Sequence, residues 1–299
     1  MNLSTPNSQT SLGIGWRPEL ARAIERRADL GFVEIVAENI DPRDPPAALM
    51  ALRERGIQII PHGISLSLGG AEPIDRARVK RLADLARRFD SPLVSEHIAF
   101  VRAAGMEAGH LLPIPRTRAS LEVIVENVRI AQEILEVPLA LENIAALFDW
   151  PDAELSEADF LREILDRTGA RLLLDLANVW ANAANLGGDG AVLLDQLPLD
   201  AIAYVHVAGG EERDGIYHDT HAAPVSQGVV QLVSALCARC SPPGIMLERD
   251  DHFPPEPQLN AELDAIADAI MSGTAKRGSD QRGTCGPPVA CGSSQAGVP

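Results

Sequence analysis

Eight short apolar runs, each followed by a helical pattern, constrain the fold of this chain more than any other feature of its sequence. The runs are rich in Val, Ile and Leu, and most are apolar on both faces. Continuous apolar character of this kind is typical of parallel strands that are covered on both sides. The runs occupy residues 12–16, 32–37, 57–62, 93–97, 138–142, 171–175, 201–207 and 244–248.

The segments between the runs predict helices that would cover such a sheet. The clearest is 118–135, where apolar side chains recur with the helical period. Strand and helix alternating eight times predicts an α/β fold of the (β/α)8 TIM barrel type, which needs about 250 residues. An open, doubly wound sheet is the alternative. We rank it lower because no G-x-G-x-x-G motif follows the first strand, and because polar strand ends continue through the eighth.

Both chain ends differ in composition from the barrel. We expect a flexible N-terminus over 1–11, the barrel over 12–272 and a disordered tail over 273–299, which is rich in Gly, Ser, Pro and Gln. The tail carries Cys285 and Cys291, which we interpret as incidental. The C-x-x-C pair of Cys237 and Cys240 falls in a predicted helix and has no second pair nearby, so packing is favoured over a zinc site.

Charge and hydropathy exclude two classes of partner. The 299 residues include 42 acidic and 26 basic ones, giving a net charge of −16, which argues against a surface that binds nucleic acid. No apolar run approaches about 18 residues, so no membrane span is expected. The polar N-terminus lacks the apolar core of a signal peptide, and we expect a cytoplasmic protein.

Polar residues of metal-ligand type stand at or just past the ends of the third to eighth runs. They are His62, His97, Glu142, Asp175, Asn178, His206, Asp219, His221 and Glu248. The carboxyl ends of barrel strands meet at one mouth, so these side chains should converge. One such residue would ordinarily be structural, but a buried group of this many ionisable side chains needs a compensating cation. Because the set has no cysteine, a borderline-to-hard metal is predicted.

The spacing suggests three donor sets that share residues. The first donor set is His62, His97 and one oxygen of Glu142. The second donor set is the other oxygen of Glu142 with Asp175, His206 and Glu248. The third donor set is Asn178, Asp219 and His221. A bridging carboxylate places two metals about 3.5–4 Å apart, and we expect Glu142, His97 and Asp219 to act directly in catalysis.

Five further side chains are candidates for a substrate pocket because they adjoin these ligands or follow a strand end. They are Ser65, His110, Asn143, Trp180 and Arg249. Each also has a structural interpretation: His110 could be a surface histidine, and Trp180 could pack over the barrel rim.

At these positions the sequence resembles the DUF692 family, the multinuclear non-haem iron-dependent oxidative enzymes. The matching stretches span about residues 12–270 and read GIGWRPEL, PHGISLSLGG, SEHIAF, LENIA, LLLDLANVWANAAN, HVAGG, DTH and LERD. The resemblance implies a xylose-isomerase-like barrel that holds two or three irons, with a mixed-valent Fe(II)/Fe(III) pair, and uses O2 as co-substrate. It also implies oxidation of a residue, often cysteine, in a ribosomally made precursor peptide, and a small partner protein that recognises the leader peptide.

Three other functions remain open on the same barrel. The donor layout also resembles the endonuclease IV family, which uses three zincs; a histidine stands there in place of Asn178, and the charge of −16 disfavours DNA. Sugar isomerases of the superfamily lack the paired histidines of the third and fourth strands. A metal-binding protein without turnover would bind metal but consume no oxygen.

Overall fold

The predicted runs form eight parallel strands that close into a barrel. The computed structural model describes residues 10–283. The strands are β1 (Ser11–Gly15), β2 (Leu30–Val36), β3 (Gln58–Gly63), β4 (Val94–His97), β5 (Leu139–Glu142), β6 (Arg171–Asp175), β7 (Ile202–Val207) and β8 (Gly244–Leu247). Each strand pairs with its neighbours in chain order, and β8 closes the barrel against β1 with Ser11 opposite Gly244. The (β/α)8 prediction is confirmed.

Helices cover the outside of the barrel. They are α1 (Ala21–Arg26), α2 (Ala47–Glu54), α3 (Arg76–Phe89), α4 (Arg118–Gln132), α5 (Glu157–Thr168), α6 (Leu176–Leu186), α7 (Gly190–Leu194), α8 (Gln227–Arg239) and α9 (Glu256–Gly283). Short 3-10 turns occupy Pro18–Leu20, Ala37–Asn39 and Leu199–Ala201. Over the described residues, no helix is both long and apolar enough to span a bilayer.

The core has two layers. The larger lies between strands and helices, and a smaller one fills the barrel interior around Phe32, Tyr204 and Met246. The Phe32 ring requires glycine on the strands beside it, because a Cβ at Gly13 would lie 2.5 Å from its edge. The interior is therefore a packed floor that supports the polar strand ends above it.

The predicted onset of disorder at residue 273 is wrong, because α9 continues through Gly283. Gly273 is a close-contact position: a Cβ there would lie 2.3 Å from the backbone oxygen of Ser234 on α8. Arg277 then donates to the backbone oxygen of Cys237 at 2.9 Å. The glycine that suggested a flexible tail allows two helices to pack. The predicted N-terminal boundary also shifts slightly, because Ser11 already belongs to β1.

The remaining predictions about the chain ends concern residues 1–9 and 284–299, including Cys285 and Cys291, which lie outside the described residues. Cys237 is buried within α8, and Cys240 follows its last turn.

Two β-hairpins stand at the mouth of the barrel. The first hairpin joins Phe100–Ala103 to Met106–Leu112 after β4, and the second joins Glu211–Arg213 to Ile216–His218 after β7. Antiparallel hairpins in βα loops leave the barrel frame intact while shaping its mouth.

Candidate metal centre

The first donor set converges on a single carboxylate oxygen. The Nε2 atoms of His62 and His97 lie 3.4 and 3.3 Å from Oε2 of Glu142. Each imidazole uses its other nitrogen elsewhere, since Nδ1 of His97 lies 3.2 Å from the backbone oxygen of Gly63 and Nδ1 of His62 lies 2.8 Å from Ser95 Oγ. Three strands, β3, β4 and β5, thus direct their last side chains at one point.

The second donor set uses the opposite oxygen of the same carboxylate. Nδ1 of His206 lies 3.4 Å from Oε1 of Glu142 and 2.9 Å from Oε2 of Glu248, and it lies 3.9 Å from Oδ2 of Asp175. His206 and Asp175 are fully buried. Glu142 therefore faces histidines on both sides, the arrangement expected of a side chain shared between two ions.

The third donor set sits nearer the surface. Nε2 of His221 lies 2.7 Å from Oδ2 of Asp219 and 3.9 Å from Oδ2 of Asp175. Asn178 joins it through the cap of α6, where its backbone N–H donates to Oδ1 of Asp175 at 2.8 Å. The backbone of His221 has φ of 51°, a left-handed conformation that only a few per cent of non-glycine residues adopt.

Several buried ligand-type oxygens have no hydrogen-bond donor. They are Oε2 of Glu142, Oδ2 of Asp175, Oδ1 of Asn178 and Oδ1 of Asp219. Nδ1 of His206 likewise has no hydrogen-bond partner. It lies 2.9 Å from Oε2 of Glu248, but the two atoms are not aligned for a hydrogen bond. An orphaned buried acceptor is costly, and a cation removes that cost for several acceptors at once. The residues present therefore fit metal ions of the N/O-binding class.

The pKa values reflect the crowding of charge in this cluster. Burial lowers the pKa of His97, but Glu142 and Glu96 outweigh it and raise that pKa to about 9. Burial raises the pKa of Glu142, and the imidazoles of His97 and His206 reverse this, lowering it to about 2. For Asp175, burial and then Asp219 and Glu142 raise the pKa to about 8. Without metal, protons balance the charge in this cluster.

An open cavity of about 790 Å³ lies above the donor sets. His62, His97, Asp219, His221 and Glu248 form part of its wall. The first hairpin contributes His110, and the loop after β3 contributes Ser65, whose hydroxyl donates to Oε1 of Glu38 at 2.5 Å. The two substrate-pocket candidates from these loops are thus at the mouth.

The other three candidates do not line this cavity, and each has a structural task. The side-chain amide of Asn143 bonds both backbone groups of Asp175, at 2.9 and 3.2 Å. Trp180 packs over Gly228, where a Cβ would lie 2.3 Å from its ring. Arg249 is buried and bonds Ala222 O and Glu262, which ties the loop after His221 to α9. Asn143 and Arg249 lie just past the ends of β5 and β8, and Trp180 lies on α6, so adjacency in sequence to a ligand does not bring these side chains to the cavity.

Three residues at the centre had no ligand role in the sequence interpretation. Glu34 on β2 accepts from His206 Nε2 at 2.8 Å. Asp250 lies 3.2 Å from His221 Nδ1, and Arg17 bonds both Asp250 and Glu248. Glu34 could have been found from its position as a lone charge inside an apolar run. The residues His221, Glu248 and Asp250 also form a possible metal-binding group.

Sequence relatives cover nearly the whole described barrel. A UPF0276 protein of Streptomyces avermitilis is 55% identical over 261 residues, which are 85% of this chain and 54% of that protein. A UPF0276 protein of Caulobacter vibrioides is 36% identical over 271 residues, which are 89% of this chain and 96% of that protein. The chain thus spans about half the length of the first relative and nearly all of the second.

Solved structures similar to this chain share its barrel. Endonuclease IV from Thermus thermophilus superposes with a TM-score of 0.56 at 19% identity, covering 87% of this chain and 99% of its own. An L-ribulose 3-epimerase superposes with a TM-score of 0.55 at 16% identity, covering 94% of this chain and all of its own. These likenesses show that the chain shares its TIM-barrel fold with solved structures and say nothing about activity.

A protein-family model described as RiPP precursor modification enzyme MbnB/TglH/ChrH matches residues 11–271. RiPPs are ribosomally synthesised and post-translationally modified peptides. The match runs from β1 into α9 and includes all three donor sets, in agreement with the resemblance in the sequence. The chain therefore belongs to the MbnB/TglH/ChrH family of RiPP precursor modification enzymes.

Proposed function

We propose that this chain is a multinuclear iron-dependent, O2-using oxidative enzyme that modifies cysteine residues of a ribosomally made precursor peptide. The observation that carries the proposal is the convergence of three donor sets on the floor of one open cavity, with Glu142 facing histidines on both sides. Family membership supports peptide modification as the task. A separate protein that binds the leader peptide is part of the proposal.

The residues of the three donor sets would hold the ions. Their nitrogen and oxygen donors suit iron, which binds imidazole and carboxylate readily. When bound, iron would supply the redox chemistry that couples reduction of O2 to oxidation of the substrate. A four-electron oxidation of the peptide balances the reduction of one O2 to two waters.

The chain's own groups position the substrate and handle its protons. The cavity of about 790 Å³ accommodates a short peptide segment with one side chain directed at the floor. We assign the carboxylate of Asp219, whose residue borders the cavity, to accept the proton of the incoming thiol. Ser65 and His110 stand at the entrance, where they can contact the peptide backbone. His97 and Glu142 take part as ligands next to the reacting group.

The test measures metal content and oxygen use together. The chain is purified without added metal and assayed by metal analysis and Mössbauer spectroscopy, then mixed with a cysteine-containing peptide encoded beside its gene. We expect about two or three irons per chain, consistent with the three donor sets, and O2 uptake that ceases with a Cys→Ser peptide. Glu142→Gln should lose both, while Glu126→Gln, an exposed change on α4, should lose neither.

Two results would contradict the proposal. Stoichiometric zinc with no oxygen uptake would favour a hydrolase of the endonuclease IV type or an isomerase. Bound iron with no turnover of any cysteine peptide, with the leader-binding partner present, would favour a binding protein.

A further inference from the structure

Five buried side chains form one hydrogen-bonded chain beneath the first and second donor sets. The links join His62 Nδ1 to Ser95 Oγ (2.8 Å), Ser95 Oγ to Tyr204 Oη (2.6 Å), Tyr204 Oη to Glu34 Oε2 (2.5 Å) and Glu34 Oε2 to His206 Nε2 (2.8 Å). The residues come from β2, β3, β4 and β7, and none is more than 2% exposed. This hydrogen-bonded chain crosses the barrel interior and ends at His62 of the first donor set and at His206 of the second donor set.

The number of protons that each group can donate fixes the direction of the hydrogen bonds in this five-residue chain. The Tyr204 hydroxyl donates its hydrogen bond to Glu34 Oε2. The phenol has one proton, so its oxygen accepts from Ser95. Ser95 has then used its own proton, so its oxygen accepts from Nδ1–H of His62.

The same carboxylate oxygen fixes the second histidine directly. Glu34 Oε2 accepts from Nε2–H of His206, so Nδ1 is the ring nitrogen that faces Glu142 and Glu248. The ring nitrogens that face Glu142 are thus Nε2 of His62 and Nδ1 of His206, and they lie 3.4 Å from Oε2 and from Oε1 of Glu142, respectively. Glu34 thus sets the ring nitrogen that each histidine presents to the shared ligand.

We propose that Glu34, Tyr204 and Ser95 are positioning residues that hold His62 and His206 in opposite tautomers, so that both donor sets around Glu142 are ready to bind metal together. A metal-ligating histidine commonly donates its other N–H to a carboxylate, and loss of that partner costs about 10–100-fold in metal affinity. Here one carboxylate serves two ligands, one directly and one through two hydroxyls. This inference rests on the proposed function only in that the centre binds a metal.

A competing role for Glu34 is as a ligand itself, since Glu34, His206 and Glu248 are close enough to hold an ion. The two roles differ in the effect of Tyr204. A ligand role makes Glu34→Gln lose a metal equivalent and leaves Tyr204→Phe without effect on binding. The positioning role makes both variants weaken binding, with Tyr204→Phe affecting the His62 side alone because the Glu34–His206 bond remains.

The experiment uses Tyr204→Phe, with Tyr217→Phe as matched control. Tyr217 is the other tyrosine of the chain, and its hydroxyl accepts from Gly210 N on the second hairpin, away from the five-residue chain. Metal-free protein is titrated with Co(II) and followed by visible absorbance. In parallel, 15N shifts of the histidine rings report which nitrogen of His62 carries the proton.

We expect Tyr204→Phe to weaken Co(II) binding at the His62 side about 10–100-fold and to abolish the Nδ1–H preference of His62 in the metal-free chain. Tyr217→Phe should change neither. Unchanged Co(II) binding together with an unchanged His62 tautomer in Tyr204→Phe would overturn the inference.

Two further variants keep the test decisive. If Tyr204→Phe does not fold, Ser95→Ala breaks the same chain with a smaller loss of packing and should give the same result. Glu34→Gln should affect the ring protons of both His62 and His206. A wild-type chain that binds no Co(II) would contradict the proposed function, whereas the His62 tautomer in the metal-free protein would still decide this inference.

Discussion

Replacing Asp175 with asparagine should stabilise the metal-free chain, and the gain should grow with pH. Asp175 is fully buried, and burial together with Asp219 and Glu142 raises its pKa from 3.8 to about 8. Between pH 3.8 and about pH 8, Asp175 keeps in the folded chain a proton that it has released in the unfolded chain. The free energy of unfolding therefore falls as pH rises through this range.

The size of the effect follows from that pKa. The carboxyl destabilises the folded metal-free state by roughly 3 kcal/mol at pH 6 and roughly 5 kcal/mol at pH 8. The amide that replaces it does not ionise, so the advantage of Asp175→Asn over wild type should increase by about 2 kcal/mol between the two pH values. Any cost of fitting the amide into the site is the same at both and cancels.

Urea unfolding of chelator-treated protein at pH 6 and pH 8 measures this difference. The matched control is Asp268→Asn, which removes one exposed carboxylate from α9 and should keep a constant offset from wild type. An Asp175→Asn advantage that is equal at pH 6 and pH 8 would refute the reasoning. With metal added, the same variant should bind less of it, because the second donor set has lost a charged ligand.

Three further predictions address the metal centre and the C-terminal helix. Glu142→Gln should weaken metal binding by more than about 10-fold in equilibrium dialysis, because both central donor sets lose an anionic oxygen; equal affinity would exclude a bridging role. Metal binding should release protons, which calorimetry in buffers of different ionisation enthalpy detects, and metal affinity should increase as pH rises from 7 toward 9. Burial lowers the pKa of His97, but Glu142 and Glu96 outweigh it and raise that pKa to about 9, and a metal ion binds only the neutral imidazole. Gly273→Ala should lower the free energy of unfolding by about 1–3 kcal/mol because its Cβ meets the Ser234 backbone, whereas the exposed Ser272→Ala should not; equal stability of the two would argue against close packing of α8 and α9.

Much of the barrel could be predicted from the sequence because each strand carries its own signal. The apolar runs gave the eight strands, and the polar residue ending each run pointed to the mouth. His62, His97 and Glu142 converge as expected because parallel strands in a closed barrel bring equivalent positions to one edge.

Contacts across the barrel interior were beyond reach of that pattern. Glu34 and His206 are separated by 172 residues, and their strands are not neighbours in the sheet. The contact between these two side chains depends on strand tilt and on the layer of the barrel in which each side chain lies. Hydrophobic periodicity predicts neither of these. The predicted onset of disorder at Gly273 was wrong for a related reason. Composition cannot distinguish a glycine in a flexible segment from a glycine that allows a neighbouring helix to pack closely.

The left-handed backbone of His221 has an energetic cost. A residue with a Cβ in that conformation raises the folded-state energy by about 1–2 kcal/mol. Glycine, which has no Cβ, would adopt this conformation without that cost. An imidazole is found there instead, between Asp219 and Asp250, where it can reach an ion. The backbone cost at His221 therefore accompanies the placement of this imidazole beside two carboxylates.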